Sequence, residues 1–469
     1  MEKNKIYLGN NLDVLKTFPD NYFDSVVTDP PYGLGKEPNV YEVMKDWIEK
    51  GYHEIKGKGF MGKEWDAFVP QPILWKEVFR VLKPGGFVLS FAGTRTYDWM
   101  VMGLRFAGFE VRDMVAWLYG NGFPKSHDIS KGIDKMQGIK HPKNKLISKN
   151  NSMSGGNYTR NKMAVKSNLA KQWQGWGTAL KPAIEPIVMA RKPFKGTVAE
   201  NVLKYGTGGI NIDGCKVGTE KRTQFSGKGT NGNVYHDYPQ ENAHYETVSG
   251  RFPANVIHDG SDEVVKLFPE SSITGHRSQE SINNCINSRK EKKGNSQCDV
   301  GGNIDKITEY GGDGGSAARF FKKFPFTEDD RRLYYIPKAS KAERNMGLYG
   351  FEEKETRGGG GRVEKGYNEN NEEERKLKES ARKYGAVKAK KRNIHPTVKP
   401  IDLMRYLIRL VTPKGGIVLD PYIGSGTTAI AAKKEKMDYV GIELEEEYLN
   451  IAKARIKATI VEYDIFDYL

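Results

Sequence analysis

The sequence predicts an α/β protein: a mostly parallel sheet in two halves, with an irregular α+β module inserted between them. Three observations lead there. Short apolar runs alternate with amphipathic stretches over residues 1–195 and again over 392–469, as in strands joined by crossover helices. Residues 196–391 break that alternation with glycine clusters and a charged tract. Each ordered half carries, directly after a strand, a turn whose residues suit a ligand crevice.

Tyr7-Leu8 and Ser25-Val26-Val27-Thr28 read as short buried strands, with Leu12 and Leu15 at helical spacing between them. Trp75 to Leu82 reads as an amphipathic helix, and Lys83-Pro84-Gly85-Gly86 as its stop. A buried strand follows at Phe87 to Phe91, then a helix from Tyr97 to Phe106. Val111 to Leu118 and Ile184 to Ala190 read as two more strands, flanking a basic insertion at about 121–180. Within the middle module, Arg251 to Ile257 and Leu333 to Ile336 look like strands, and 352–392 reads as a flexible charged tract. Order returns with a helix at Ile401 to Val411 and a strand at Gly416 to Asp420. A helix at Thr427 to Glu435, a strand at Tyr439 to Glu443 and a closing helix from Glu446 to Ile456 complete the chain. The expected organisation is 1–195, 196–391 and 392–469.

Charge adds a second layer. The 469 residues hold 74 Lys+Arg against 59 Asp+Glu, a net of +15. Residues 121–200 hold fifteen basic and four acidic residues, a net of +11, whereas 401–469 has a net of −2. The basic stretch reads either as a solvated loop or as a footprint for phosphates. Trp173-Gln174-Gly175-Trp176-Gly177 follows it with aromatic faces on which bases can stack. Mean hydropathy is −0.64, no run approaches a membrane span, and the N-terminus lacks a signal-peptide pattern. Cys215, Cys285 and Cys298 form no Cys-x-x-Cys. The expectation is a cytoplasmic protein with no disulfide framework, no structural metal and no membrane partner.

Two segments carry chemistry. Asp420-Pro421-Tyr422-Ile423-Gly424-Ser425-Gly426-Thr427-Thr428 lies between a strand and a helix, where a Gly-x-Gly turn lets a ligand approach the backbone. Glu443, at the end of the next strand, can accept from ribose hydroxyls. Without a Gly-Lys-Ser/Thr, a phosphate loop is disfavoured, and a nucleoside-type cofactor is expected. The second segment is Asp29-Pro30-Pro31-Tyr32, directly after the strand ending at Thr28. It is either a proline-rich turn or a site for an exocyclic amine. For an amine, a carboxylate and free carbonyls would accept its hydrogens, and the tyrosine would stack on its ring.

Asp-Pro-Pro-Tyr resembles motif IV of amino-directed, S-adenosylmethionine-dependent DNA methyltransferases of bacterial or phage type. Residues 420–428 resemble their cofactor motif, and His395-Pro396-Thr397-Val398-Lys399-Pro400 the segment that precedes it. With the catalytic motif first and the cofactor motif last, the order resembles the β class of these enzymes, known from restriction–modification systems. The resemblance covers 1–195 and 392–469. It implies a circularly permuted class I methyltransferase, a Rossmann-like seven-stranded sheet in which 196–391 is the target-recognition module.

It also implies roles. Asp29 and the Pro30 carbonyl would accept the two amino hydrogens, Pro31 would stiffen the loop, and Tyr32 would stack on the flipped base. Asp420, Pro421, Tyr422, Gly424, Ser425, Gly426, Thr427 and Thr428 would line the methionine side of S-adenosylmethionine. Glu443 would meet the ribose, and His395, Thr397 and Lys399 the opposite wall. Asn10 falls where relatives often carry Asp, against the adenine edge. Lys140, Lys143, Lys145 and Lys149 are expected on the DNA backbone. The implied activity is methyl transfer to N6 of adenine in double-stranded DNA, by base flipping and direct displacement. Asp at the first motif position favours adenine, and Ser there is commoner for N4-cytosine, which stands as the alternative. A protein-glutamine methyltransferase and a catalytically silent DNA-binding protein are remoter ones. The sequence leaves open a homodimer and a cognate endonuclease.

Overall fold

In the computed structural model, the described residues are 2–55, 64–120, 122, 126–139, 165–226, 244–271, 315–323, 339–356 and 389–460. They fall into two compact units, one within Asn121–Ala183 and the other comprising the rest. Lys140, Lys143, Lys145 and Lys149, the expected strand at 333–336, Cys285 and Cys298 lie outside the described residues.

The larger unit is organised by nine strands. In chain order they are β1 (Lys5–Leu8), β2 (Phe23–Thr28), β3 (Leu82–Phe91), β4 (Glu110–Leu118), β5 (Ile184–Arg191), β6 (Val256–His258), β7 (Lys322–Lys323), β8 (Ile417–Asp420) and β9 (Asp438–Glu443). Across the sheet they run β1-β9-β8-β2-β3-β5-β4-β6-β7. β5 is antiparallel to both its neighbours, and every other pairing is parallel. The seven expected strands form one continuous series. β6 and β7 come from the span assigned to the inserted module and extend the same sheet.

Strand sequences explain the layering. β2 reads Phe-Asp-Ser-Val-Val-Thr and is buried along its whole length, as a strand covered on both faces requires. Its alternate residues serve different cores. Val27 packs with Leu89, Phe91, Ile187 and a helical layer bearing Leu403, Leu407, Ile430 and Ala452. Val26 packs with Val88, Val188, Leu419 and a layer bearing Leu15, Trp47, Trp75, Val78 and Leu104. The helices behind these residues are α1 (Asn11–Lys16), α2 (Val40–Glu49), α3 (Pro72–Val81) and α4 (Tyr97–Phe106) on one face. On the other are the helices Ile401–Val411, Thr427–Lys434 and Glu446–Lys457.

Two local expectations change. The third helix ends at Val81, and β3 begins at once with Leu82, so Lys83-Pro84-Gly85-Gly86 opens a strand rather than a loop. Leu82 pairs with Phe23 and Phe87 with Ser25, leaving an irregularity that absorbs the intervening residues. Gly85 has φ +80°, and Gly86 has no room for a Cβ against Leu82. Arg251 to Ile257 is two strands, His244–Arg251 in a hairpin with Val217–Ser226 and β6 in the sheet. Pro253 lies between them, where a missing N–H would interrupt a ladder.

The smaller unit holds α5 (Ile129–Met136) and α6 (Asn168–Gln172). Asp134 joins them, its buried carboxylate accepting from the N–H groups of Lys166 and Ser167 (both 3.0 Å). Trp173 and Trp176 pack edge to face at 5.3 Å and stay exposed. Among the described residues, no helix is long and apolar enough to cross a membrane.

Candidate active site

Both chemical segments begin where a parallel strand ends. β2 stops at Thr28 and β8 at Asp420, and these strands are direct neighbours. Thr28 Oγ1 donates to Asp420 Oδ1 (2.6 Å), which fixes the two segments side by side at the carboxyl edge of the sheet. One cleft results, enclosing about 290 Å3 of non-protein space with its open mouth included. Asp29, His395, Thr397, Lys399, Asp420, Tyr422, Gly424, Ser425, Thr427 and Thr428 line it, together with Met404 and Ile423. Residues from three distant segments thus share one wall.

The glycine turn is shaped by its neighbours. Gly424 (φ +52°) and Gly426 (φ +84°) adopt left-handed conformations, and a Cβ on Gly424 would sit 2.6 Å from His395 Nε2. His395 is itself placed by Thr397 O, 2.6 Å from Nδ1, and by the ring of Tyr448. Gly426 precedes the helix Thr427–Lys434, whose first N–H groups face the turn. Beneath lies fully buried Arg455, whose Nη1 donates to Ser425 O (2.6 Å), Ser425 Oγ (3.0 Å) and Thr427 Oγ1 (3.2 Å).

The two acids expected on the cofactor wall accept hydrogen bonds from the protein itself. Asp420 accepts from Thr28, from Thr428 Oγ1 (2.5 Å) and from the Tyr422 N–H (3.0 Å). Burial pushes its carboxyl up to about 6 against these hydrogen bonds. Glu443 accepts from the backbone of Glu445 (2.8 Å), Gly424 and Leu444. Burial again dominates, pushing Glu443 up to about 7. Asn10 caps α1 through its side-chain oxygen on Leu12 N–H (2.9 Å). Pro421 O lies 3.4 Å from Asn11 Nδ2.

At the other side, Pro30 and Pro31 are buried and Asp29 is partly accessible. Thr96 Oγ1 donates to Tyr32 O (2.5 Å). Lys399, which lines the same cleft as Thr397 and Ser425, approaches Asp29 Oδ1 (2.7 Å). It also approaches Glu185 Oε2 (3.3 Å) and Tyr32 Oη (3.1 Å). Tyr32 Oη donates to Glu185 Oε2 (2.9 Å). Burial, with the charges of Asp29 and Glu185, raises the tyrosine well above its usual range, so it stays neutral. Glu185 is the residue that sequence reasoning missed. Its one signal is an acid within an otherwise apolar strand, Ile184-Glu185-Pro186-Ile187-Val188.

Among the described residues, no group of three or more His, Cys, Asp or Glu could hold a metal ion. What the arrangement can do is clear from its chemistry. Two carboxylates surround one ammonium on the Asp29 side, beside a glycine turn that lines the same cleft and a buried acid at the next strand end. This donor set fits a cationic nucleoside on one wall and an amine on the other.

The chain belongs to the DNA methylase family of N6 and N4 methyltransferases, whose model matches residues 23–454. Among curated relatives, the type II methyltransferase M2.DpnII of Streptococcus pneumoniae is 45% identical over 64 residues, 14% of this chain and 24% of that protein. The type II methyltransferase M.ScaI of Streptomyces caespitosus is 42% identical over 67 residues, 14% of this chain and 22% of that protein. The chain therefore matches about a quarter of the length of these relatives. Similar solved structures include M1.HpyAVI with S-adenosylmethionine, at TM-score 0.32 and 13% identity over 96% of this chain and 98% of that one. The cytosine-N4-specific PvuII methyltransferase matches at TM-score 0.36 and 12% identity, over 97% and 86%.

Proposed function

We propose that this protein is a β-class DNA methyltransferase that methylates the N6 amino group of adenine in double-stranded DNA, with S-adenosylmethionine as donor. One observation carries the reading. Asp29, at the head of Asp29-Pro30-Pro31-Tyr32, and Gly424-Ser425 of the glycine turn line a single cleft, joined by the Thr28–Asp420 hydrogen bond. An amine acceptor and a nucleoside cradle so close together suit group transfer between their two ligands.

Bound there, S-adenosylmethionine supplies an electrophilic methyl group on a sulfonium. The protein supplies positioning. Asp29 and the Pro30 carbonyl would accept from the two amino hydrogens, which favours a pyramidal nitrogen with its lone pair free to attack. Tyr32 stacks on the base, while Glu443, Gly424 and Gly426 seat the nucleoside. Methyl transfer would break the methyl–sulfur bond with the pair left on sulfur, Asp29 would take the surplus amino proton, and no enzyme nucleophile is required. The base reaches the cleft by flipping from the duplex, at a cost of a few kcal/mol. Lys140, Lys143, Lys145 and Lys149, with the exposed tryptophans, are read as DNA contacts. Residues 196–391 are read as the source of sequence recognition.

The test is expression in a host without its own DNA methylation, followed by nucleoside analysis and single-molecule sequencing of the DNA. N6-methyladenine at one sequence context is expected; N4-methylcytosine overturns the choice of base, and unmodified DNA overturns the activity. Asp29→Ala is expected to cost at least about a hundredfold in turnover, the scale of losing one transition-state contact. Cofactor and DNA binding should persist in that variant.

A further inference from the structure

The cleft already contains an amine. Lys399 Nζ lies 2.7 Å from Asp29 Oδ1, 3.3 Å from Glu185 Oε2 and 3.1 Å from Tyr32 Oη. An ammonium has three hydrogens to donate, and three oxygens surround it. The rings of Phe91 and Tyr32, 4.7 and 5.3 Å away at their centroids, complete the cage. Only 5% of Lys399 is exposed. Burial opposes its charge, but Asp29 and Glu185 outweigh burial and hold the ammonium above its usual range. The carboxylate read above as the acceptor for the target amine is thus occupied by a protein amine.

The surroundings show which group can move. Glu185 sits on β5, paired on both sides, and also receives the Tyr32 hydroxyl. Asp29 follows β2 directly and precedes two prolines. Glu185 is paired with Trp117 of β4, so both carboxylates hang on short stems from held backbone, whereas lysine has a flexible four-carbon stem. If an incoming amine takes the Asp29 oxygen, Lys399 still has Glu185 and Tyr32 within reach.

We propose that Lys399 is a resident stand-in for the target amine, seated on Asp29 until a base enters. Glu185 is then the positioning residue that takes the ammonium over. The inference rests on the DNA amino-methyltransferase reading and deepens it. A base that offers an exocyclic amine replaces the bond that the lysine gives up. Thymine offers Asp29 no amine, and leaves the lysine in place. Displacement of Lys399 thus adds discrimination to shape alone.

The test measures methyl transfer to unmethylated chromosomal DNA by the full chain, with S-adenosylmethionine binding followed by calorimetry. Glu185→Gln weakens the second seat and is expected to raise KM for DNA about tenfold, the scale of one charge-assisted hydrogen bond. Its S-adenosylmethionine affinity should stay within about twofold of wild type. In a Lys399→Met background, the same Glu185→Gln change should matter less than about twofold, because the two residues act as one unit. An unchanged KM in Glu185→Gln, a loss confined to kcat, or an equal loss in both backgrounds overturns the proposal.

Should Lys399→Met fail to fold, a wild-type complex with DNA and S-adenosylhomocysteine decides. Nζ on Glu185 and off the Asp29 oxygen that holds the base amine supports the proposal, and Nζ still on that oxygen overturns it. A wild-type protein that methylates no DNA overturns the parent reading. An active wild type with an unaltered Glu185→Gln variant overturns this inference alone.

Discussion

Gly424 shows how little freedom a residue of the cleft has. Its φ of +52° and the 2.6 Å separation between a virtual Cβ and His395 Nε2 leave no place for a side chain. Gly424→Ala is expected to cost about 1–2 kcal/mol from the left-handed backbone, and to weaken S-adenosylmethionine binding by calorimetry. Glu443 makes a pH prediction. Burial raises its carboxyl from 4.5 to about 7, so between those values the folded apo protein holds a proton that the unfolded chain releases. Stability attributable to Glu443 is thus greatest at the acid end of that window and falls as pH rises through it. Denaturant titrations across the window should show that slope in wild type and a flatter one in Glu443→Gln. The positions of Asp29 to Tyr32 and of Gly424 to Gly426, each just after a strand, were legible in the sequence because they depend on chain neighbours. Glu185 was not, because only the pairing of β3 with β5 brings it to Asp29. The contact of Lys399 with Asp29 was not legible either, because the two are 370 positions apart in the sequence.

Elements were legible wherever apolar periodicity was strong. The strand at Ser25 to Thr28 and the helix at Ile401 to Val411 form as the pattern predicts. Boundaries set by pairing rather than propensity were not, and β3 begins five residues before the apolar run because Leu82 can pair with Phe23. The short helix Lys341–Asn345 was also missed, since four polar residues and one alanine carry no amphipathic signal. Yet it supports the site. Ser340 and Glu343 form a capping box, Glu343 Oε1 accepts from the Ile401 N–H, and Glu343 O accepts from Arg455 Nη2 (3.2 Å). Arg344 Nη2 donates to His395 O (2.7 Å). A piece of the middle segment therefore braces both the His395 loop and the arginine beneath Ser425. Arg455→Ala removes that brace and leaves buried acceptors unpaired. It is expected to cost about 3 kcal/mol in urea unfolding, and to weaken the cofactor site with it.

At the scale of the molecule, the sequence located the two halves of the sheet and the order of their motifs. It placed the boundary of the first half at 195, whereas β6 and β7 carry the sheet further into the middle segment. Strands of three and two residues are too short to announce themselves by pattern. The basic stretch makes a prediction at this scale. Replacing Lys140, Lys143, Lys145 and Lys149 with Gln should weaken DNA binding and reduce its log–log salt slope by up to about 0.9 per lost phosphate contact. An unchanged slope would remove these lysines from the DNA interface. The central pairing of β2 with β8 has a consequence for synthesis. Thr28 and Asp420, which join the two walls of the cleft, are 392 positions apart. At about 5–20 residues per second, the ribosome needs roughly 20 to 80 s to deliver the second after the first. Until then β2 has an open edge on that side, so the cleft assembles only after Asp420 has been synthesised.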